Sequence, residues 1–157
     1  MASVHAYPPL SDHLWLCASI NQKSMKPEII EFKPLGDSRG HLVAVESNVS
    51  IPFDVKRVYY IYGTVEDIER GFHAHKALNQ VAVAIAGSCD MVLDDGEDTA
   101  TVRLDSAAQG VCIKPAVWHY MKNFSKDCVL LVFADQHYDE SDYLRDYDAF
   151  KLWLTSN

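Results

Sequence analysis

The residues best suited to chemistry stand together in the segment Arg70–Gly71–Phe72–His73–Ala74–His75–Lys76. On a β-strand, residues two apart share a face, so His73 and His75 project side by side. An imidazole with an ordinary pKa near ~6.5 can take up and return a proton at neutral pH, so the pair suits general acid–base work. Gln80 and Gly87 follow at fixed intervals to complete the pattern H-x-H-x4-Q-x6-G. Downstream, Gly110, Pro115, His119 and Asn123 form a second cluster, which would supply a third imidazole if the intervening strands fold back. His5, His13, His41 and His137 have no such neighbours and read as structural.

The elements that must position these residues are strands. Short apolar runs recur from Ile29 onward: Ile29–Phe32, Leu42–Glu46, Arg57–Tyr62, Gly71–His75, Gln80–Ala86, Cys89–Leu93, Thr99–Leu104, Val111–Lys114, Trp118–Met121 and Cys128–Ala134. So many short strands in so short a chain predict an all-β sandwich or barrel. Turn signals separate them, clearest at Asp94–Asp95–Gly96–Glu97, and the short connections favour consecutive antiparallel order. One helix is expected, at the C-terminus, where Ser141 and Asp142 could cap a segment with Tyr143, Tyr147, Phe150 and Leu154 on one face. It should lie outside the sheets. With Gln80 inward, Ala82, Ala84 and Ala86 share its face, and such small side chains either leave volume for a ligand or accommodate bulky residues opposite. Val81, Val83 and Ile85 then face outward and need cover from a second sheet or a partner subunit. Residues 1–28, with Pro8 and Pro9, read as an N-terminal extension to a single domain over 29–157.

Composition narrows the function. Lys plus Arg number 14 against 22 Asp plus Glu, a formal charge of −8, with a pI near 5.2. This balance argues against nucleic acid and anionic membranes as general partners. No apolar run approaches the ~20 residues of a membrane span. The N-terminus has no basic stretch before an apolar one, so a cytoplasmic location is expected. Cys17, Cys89, Cys112 and Cys128 show no metal-finger spacing and read as buried free thiols.

The two histidine clusters resemble the paired motifs of cupins, small double-stranded β-helix (jelly-roll) barrels. Gln80 stands where those motifs carry a metal-binding glutamate, Val117 replaces a glycine, and His119 lies one residue closer to Pro115. With an amide at position 80 a bound cation would have no anionic protein ligand, although three imidazoles and an amide can still bind zinc, nickel or copper. Longer segments carry a closer resemblance: IPFDVKRVYYIYGT at Ile51–Thr64, RGFHAHKALNQ at Arg70–Gln80, NFSKDCVLLVFA at Asn123–Ala134 and YDESDYLRDYDAF at Tyr138–Phe150. These are similar to the nucleotide-sugar 3,4-ketoisomerases that act on dTDP-4-keto-6-deoxyglucose. The resemblance extends from about Ile29 to Phe150.

That resemblance implies a cupin homodimer with a C-terminal helix and no cofactor or metal. Its reaction moves a ketone from C4 to C3 of dTDP-4-keto-6-deoxy-D-glucose, ahead of an aminotransferase that makes a 3-amino-3,6-dideoxy sugar for a surface polysaccharide, an S-layer glycan or an antibiotic. It places His73 and His75 beside the hexose, with Arg57 and Tyr59 on the preceding strand. The chemistry agrees: a proton leaves C3, an enediol or enediolate forms, and a proton returns at C4. His73 is the expected base, with His75 and Tyr59 shuttling protons or stabilising the oxyanion. Arg57 and Arg70 are the stronger candidates for the diphosphate, since Arg binds it bidentately and Lys76 or Lys114 acts as a point charge. Gln80 and His119 complete the expected substrate contacts, and Trp118 is assigned to the core. Competing readings are a metal-dependent dioxygenase-like cupin, a dTDP-sugar 3,5-epimerase and a non-catalytic sugar-nucleotide binder. The C4 configuration of the product depends on side-chain placement that a sequence does not show.

Overall fold

A computed structural model describes residues 25–157. Most of the expected extension, with Cys17, His5 and His13, lies outside the described residues. The strands are β1 Ile29–Glu31, β2 Leu35–Asp37, β3 Gly40–Leu42, β4 Arg57–Ile61, β5 Arg70–His75 and β6 Gln80–Ala86. They continue as β7 Cys89–Asp94, β8 Thr99–Leu104, β9 Gln109–Ile113, β10 Trp118–Lys122, β11 Val129–Ala134 and β12 Tyr143–Leu144, before helix α1 at Tyr147–Ser156. Two five-stranded sheets run β1-β9-β6-β11-β4 and β12-β5-β10-β7-β8, with β2–β3 a separate hairpin. Every named strand pairing is antiparallel. The order within each five-stranded sheet is not consecutive, which corrects the expectation drawn from short connections. Successive strands mostly cross between sheets, as a jelly roll requires, and β7–β8 is the one hairpin within a five-stranded sheet. Its turn forms where Asp-Asp-Gly-Glu predicts it: Asp95 Oδ1 accepts from the amides of Glu97 and Asp98 at 3.0 and 2.8 Å, and Gly96 takes φ 92°.

The main core fills the space between the sheets. Ala82, Ala84, Met91, Leu93, Val111, Leu130 and Val132 pack there, essentially without exposure. Removing such surfaces from water contributes roughly 25 cal/mol per Å² and drives closure of the barrel. The outward Val81 and Val83 find their cover within the chain: Phe32, Ile51 and Cys112 bury against them, with Val43, Val45, Phe53 and Val55 alongside. The stretch Val43–Glu46 is therefore a covering segment and not the strand expected there. Cys89, Cys112 and Cys128 are buried free thiols.

The C-terminal region departs from the expected single helix. Asp139 caps a 3-10 turn at Glu140–Asp142, Tyr143 and Leu144 pair with β5, and Asp146 then caps α1 by accepting from the Ala149 amide at 2.8 Å. Tyr143 is thus a strand residue. Phe150, fully buried, packs on Ala74 and Trp118 outside the barrel, which places both α1 and the tryptophan in a structural layer.

One irregularity sets the site. Pairing between β5 and β10 slips between His119↔His73 and Tyr120↔Gly71, leaving Phe72 as the extra residue of a β-bulge at φ 53°. Phe72 stacks on Tyr120 with ring centroids 4.6 Å apart. An inserted residue reverses strand parity, so Arg70 faces the same side as His73 although the two are an odd number apart. Gly71 makes this possible: a Cβ there would meet Tyr120 Cα at 2.9 Å, and its φ is +113°. Gly71→Ala should lower stability by about 1–3 kcal/mol, the cost of an unfavourable backbone region. Urea denaturation checks this, and an unchanged midpoint would contradict it.

Candidate active site

Strands β5 and β10 lie side by side, and the register His119↔His73 brings the two histidine clusters together. Ring centroids of His73 and His119 are 4.3 Å apart, of His73 and His75 4.9 Å, and of His75 and His119 6.0 Å. The trio abuts a cavity of about 480 Å³. Arg57, Tyr59, Arg70, His73 and His119 line it, together with Tyr138, Tyr143 and Arg145. Met91, Ile113, Leu130 and Val132 form its apolar floor.

Burial governs the protonation of the imidazoles, because a low-dielectric interior disfavours the charged form. Desolvation lowers His119 to about 3 and His73 to about 4, the Gly71 carbonyl pulling His73 slightly the other way. His75 is also lowered by burial, but Asp142 opposes the shift with a hydrogen bond and its charge. At neutral pH all three are lone-pair bearers. His119 Nδ1 lies 3.1 Å from the Val117 carbonyl, which can only accept, so Nδ1 carries the proton and Nε2 is the free acceptor. His73 Nδ1 and His75 Nε2 are buried without a hydrogen-bond partner.

Tyr59 and Gln80 form a second unit. The Tyr59 hydroxyl donates to Gln80 Oε1 at 2.6 Å, and burial pushes its pKa up to about 12. It is a neutral phenol whose proton is engaged and whose oxygen can still accept. Gln80 is almost fully buried and stands behind Tyr59, outside the cavity lining. Its expected substrate contact is thereby corrected to a buttressing contact. Lys76 is corrected likewise: it follows the end of β5, is exposed, and gives its Nζ to the Ser141 carbonyl at 2.6 Å. His75 sits just behind the lining, its ring 4.2 Å from that of Tyr143.

Besides Tyr138, which lies in a loop before the 3-10 turn, three site residues are not marked as such by the sequence. Tyr143 was assigned to a helix, and Asp142 to that helix's cap. Arg145 closes the cavity mouth, its guanidinium 4.1 Å from the centroid of Tyr143 and paired to Glu140 at 2.8 Å. The pairing of β12 with β5 that brings all three in is non-local, and strand β12 is two residues long, so no periodicity marks it.

The ligand nitrogens of His73, His75 and His119 lie within 4.8 Å of one another, close enough to converge on one divalent ion. The donor set around them fits such an ion poorly. Gln80 supplies no charge, Asp142 is engaged by His75 and the Ala77 amide, and Arg57, Arg70 and Arg145 line the same cavity. The arrangement instead suits an anionic ligand whose reacting carbon sits among neutral bases.

A jelly roll of this size with a histidine-walled cavity is a small cupin. The family model described as "FdtA: WxcM-like, C-terminal" matches residues 25–154. A TDP-4-oxo-6-deoxy-alpha-D-glucose-3,4-oxoisomerase of Aneurinibacillus thermoaerophilus is 53% identical over 130 residues, covering 83% of this chain and 94% of that protein. The sugar 3,4-ketoisomerase of Thermoanaerobacterium thermosaccharolyticum, solved in complex with TDP, superposes with a TM-score of 0.81 at 41% identity, over 83% of this chain and 95% of that one. A 3,4-ketoisomerase from Helicobacter canadensis does so with a TM-score of 0.81 at 43% identity, over 83% and 98%. The chain belongs to this FdtA-like family of sugar 3,4-ketoisomerases.

The depressed imidazole pKa values carry a sign. Between about pH 6.5 and 4 the unfolded chain binds protons that His73 and His119 refuse when folded, so stability is complete above pH 6.5 and falls with pH through that window. The urea midpoint should be clearly lower at pH 5 than at pH 7.5; equal midpoints would show that these histidines are not held neutral.

Proposed function

We propose that this protein is a cofactor-free 3,4-ketoisomerase of dTDP-4-keto-6-deoxy-D-glucose, producing a dTDP-3-keto-6-deoxyhexose. The observation that carries the reading is the convergence of three neutral imidazoles, His75 and His119 buried and His73 half-buried, beside a cavity lined by Arg57, Arg70 and Arg145. The names of the relatives support the substrate: one contains TDP-4-oxo-6-deoxy-alpha-D-glucose, and another protein was solved with TDP.

In the proposed reaction the C3–H bond breaks toward an imidazole nitrogen, the electron pair forms a C3=C4 double bond, and the C4 carbonyl oxygen takes the charge. The enediolate exchanges its hydroxyl proton between O3 and O4, C4 is then protonated, and the C3 carbonyl forms. Atoms and electrons balance without an oxidant. His73, which lines the cavity and is held neutral by burial, is the base at C3. His75 is the second proton carrier, and Arg57 and Arg70 face the developing oxyanion or the diphosphate. Tyr59, whose proton is held by Gln80, acts as an acceptor that orients a sugar hydroxyl and not as the oxyanion donor. A dioxygenase-like metal reaction is disfavoured by the uncharged donor set.

We place the active protein in the cytoplasm as a homodimer. The buried free thiols Cys89, Cys112 and Cys128 suit a reducing compartment. Among the described residues no helix is long and apolar enough to cross a membrane. Edge strand β4 and the residue after it expose Val58, Tyr60 and Tyr62 by 51–68%, an apolar surface that a second copy would cover. The sedimentation mass should be twice 17.7 kDa, and a monomer at micromolar concentration would contradict the dimer.

The activity is tested by NMR of the product from dTDP-4-keto-6-deoxyglucose, which reports ketone position and C4 configuration and would expose a 3,5-epimerase. His73→Asn should lower kcat by about 10²-fold or more, the range of a positioned acid–base group. Full turnover by that variant would remove His73 from the role of base, and no turnover by the parent protein would remove the activity.

A further inference from the structure

Among the three imidazoles only His75 has a carboxylate against it. Its Nδ1 lies 2.8 Å from Asp142 Oδ2, with His75 2% exposed and the Asp142 side chain 13% exposed. The second oxygen, Oδ1, accepts from the Ala77 amide at 2.8 Å, and the Asp142 carbonyl accepts from the Lys76 amide at 2.9 Å. Asp142 thus grips the chain just beyond β5 with backbone and side chain at once. The next residue, Tyr143, pairs with His75 across the sheet. Asp142 itself is not among the cavity-lining residues.

From this geometry we propose that Asp142 is a positioning residue of the isomerase, holding His75 in the tautomer whose Nε2 is the free acceptor behind the cavity wall, beside His73 and His119. The inference rests on the ketoisomerase reading for its kinetic consequence and on the fold for its tautomer. An ionised carboxylate can only accept, so Nδ1 must carry the hydrogen and Nε2 must be the acceptor. That Nε2 is buried and unpartnered, with His73 and His119 as neighbours. Second, an imidazolium formed at Nε2 would keep a counter-charge at Nδ1. The other groups acting on His75 are cationic or neutral: Arg57 from β4, Arg145 beyond β12, Tyr143, His73 and His119. Asp142 is the anion in this set, so it makes His75 the member best able to hold a proton passed on by His73 before its return at C4. His73 and His119 have no carboxylate partner among the described residues.

Asp142→Asn separates this role from packing. The Ala77 amide needs an acceptor and will keep the Asn carbonyl oxygen, which turns the Asn amide nitrogen toward His75. Two donors cannot share one hydrogen bond, so Nδ1 must become the acceptor and the hydrogen must move to Nε2. A comparable exchange in a serine-protease triad costs on the order of 10⁴ in kcat. Here kcat should fall by about 10²-fold or more, with KM within about threefold. The ¹⁵N–¹H spectrum should show the His75 hydrogen moved from Nδ1 to Nε2. Retention of kcat within about threefold would overturn the proposal. The same spectrum on the unaltered protein decides the matter if the variant does not fold: Nδ1–H supports the proposal and Nε2–H overturns it. Because that spectrum needs no turnover, an error in the activity and an error in the positioning role are told apart.

Discussion

Three imidazoles pressed together inside an apolar barrel cannot all be charged, and the rest of the molecule follows from that constraint. Burial removes the water that would stabilise imidazolium, so His73 and His119 remain bases far below the pH at which a free histidine would be protonated. The cations that an anionic ligand requires are kept to the cavity wall and mouth, at Arg57, Arg70 and Arg145, where solvent and ligand can balance them. Gln80, an amide at the position where a carboxylate would draw in a metal or a proton, is used instead to fix Tyr59. One carboxylate, Asp142, is admitted beside one imidazole, and the symmetry of the trio ends there.

The scaffold meets this constraint through register more than through composition. Antiparallel pairing of β5 with β10 sets His119 against His73, and the bulge at Phe72 turns Arg70 to the same side. Small residues on β6, Ala82 and Ala84, are taken up in the core against Met91, Leu93, Leu130 and Val132, while the cavity is lined from other strands. On the outer face of β6, Val81 and Val83 are covered by the segment from Phe32 to Val55.

Much of this was legible in the sequence, and the parts that were not share a physical cause. The strand Gln80–Ala86, the Asp94–Glu97 turn and the pairing of His73 with His75 on one face rest on local chemistry, and each formed where alternation and turn residues place it. The jelly-roll strand order, the parity reversal at Phe72 and the docking of Tyr143 beside His75 are long-range. They depend on which strands meet, which no spacing along one chain records. Lys76 and Gln80 illustrate the same limit: a cation next to His75 and an amide at the motif's glutamate position read as substrate contacts, whereas one reaches the Ser141 carbonyl and the other Tyr59.

The central claim is that protons, and not a hydride, move through neutral imidazoles. Its most direct test is the isomerisation run in D₂O, with the product read by ¹H NMR. An imidazole that has taken the C3 proton can exchange it with solvent before returning it, so deuterium is expected to build up at C4 of the 3-keto product and at C3 of recovered substrate as the reaction cycles to equilibrium. Product and substrate that carry only protium at these carbons after prolonged equilibration in D₂O would contradict proton transfer through the imidazoles.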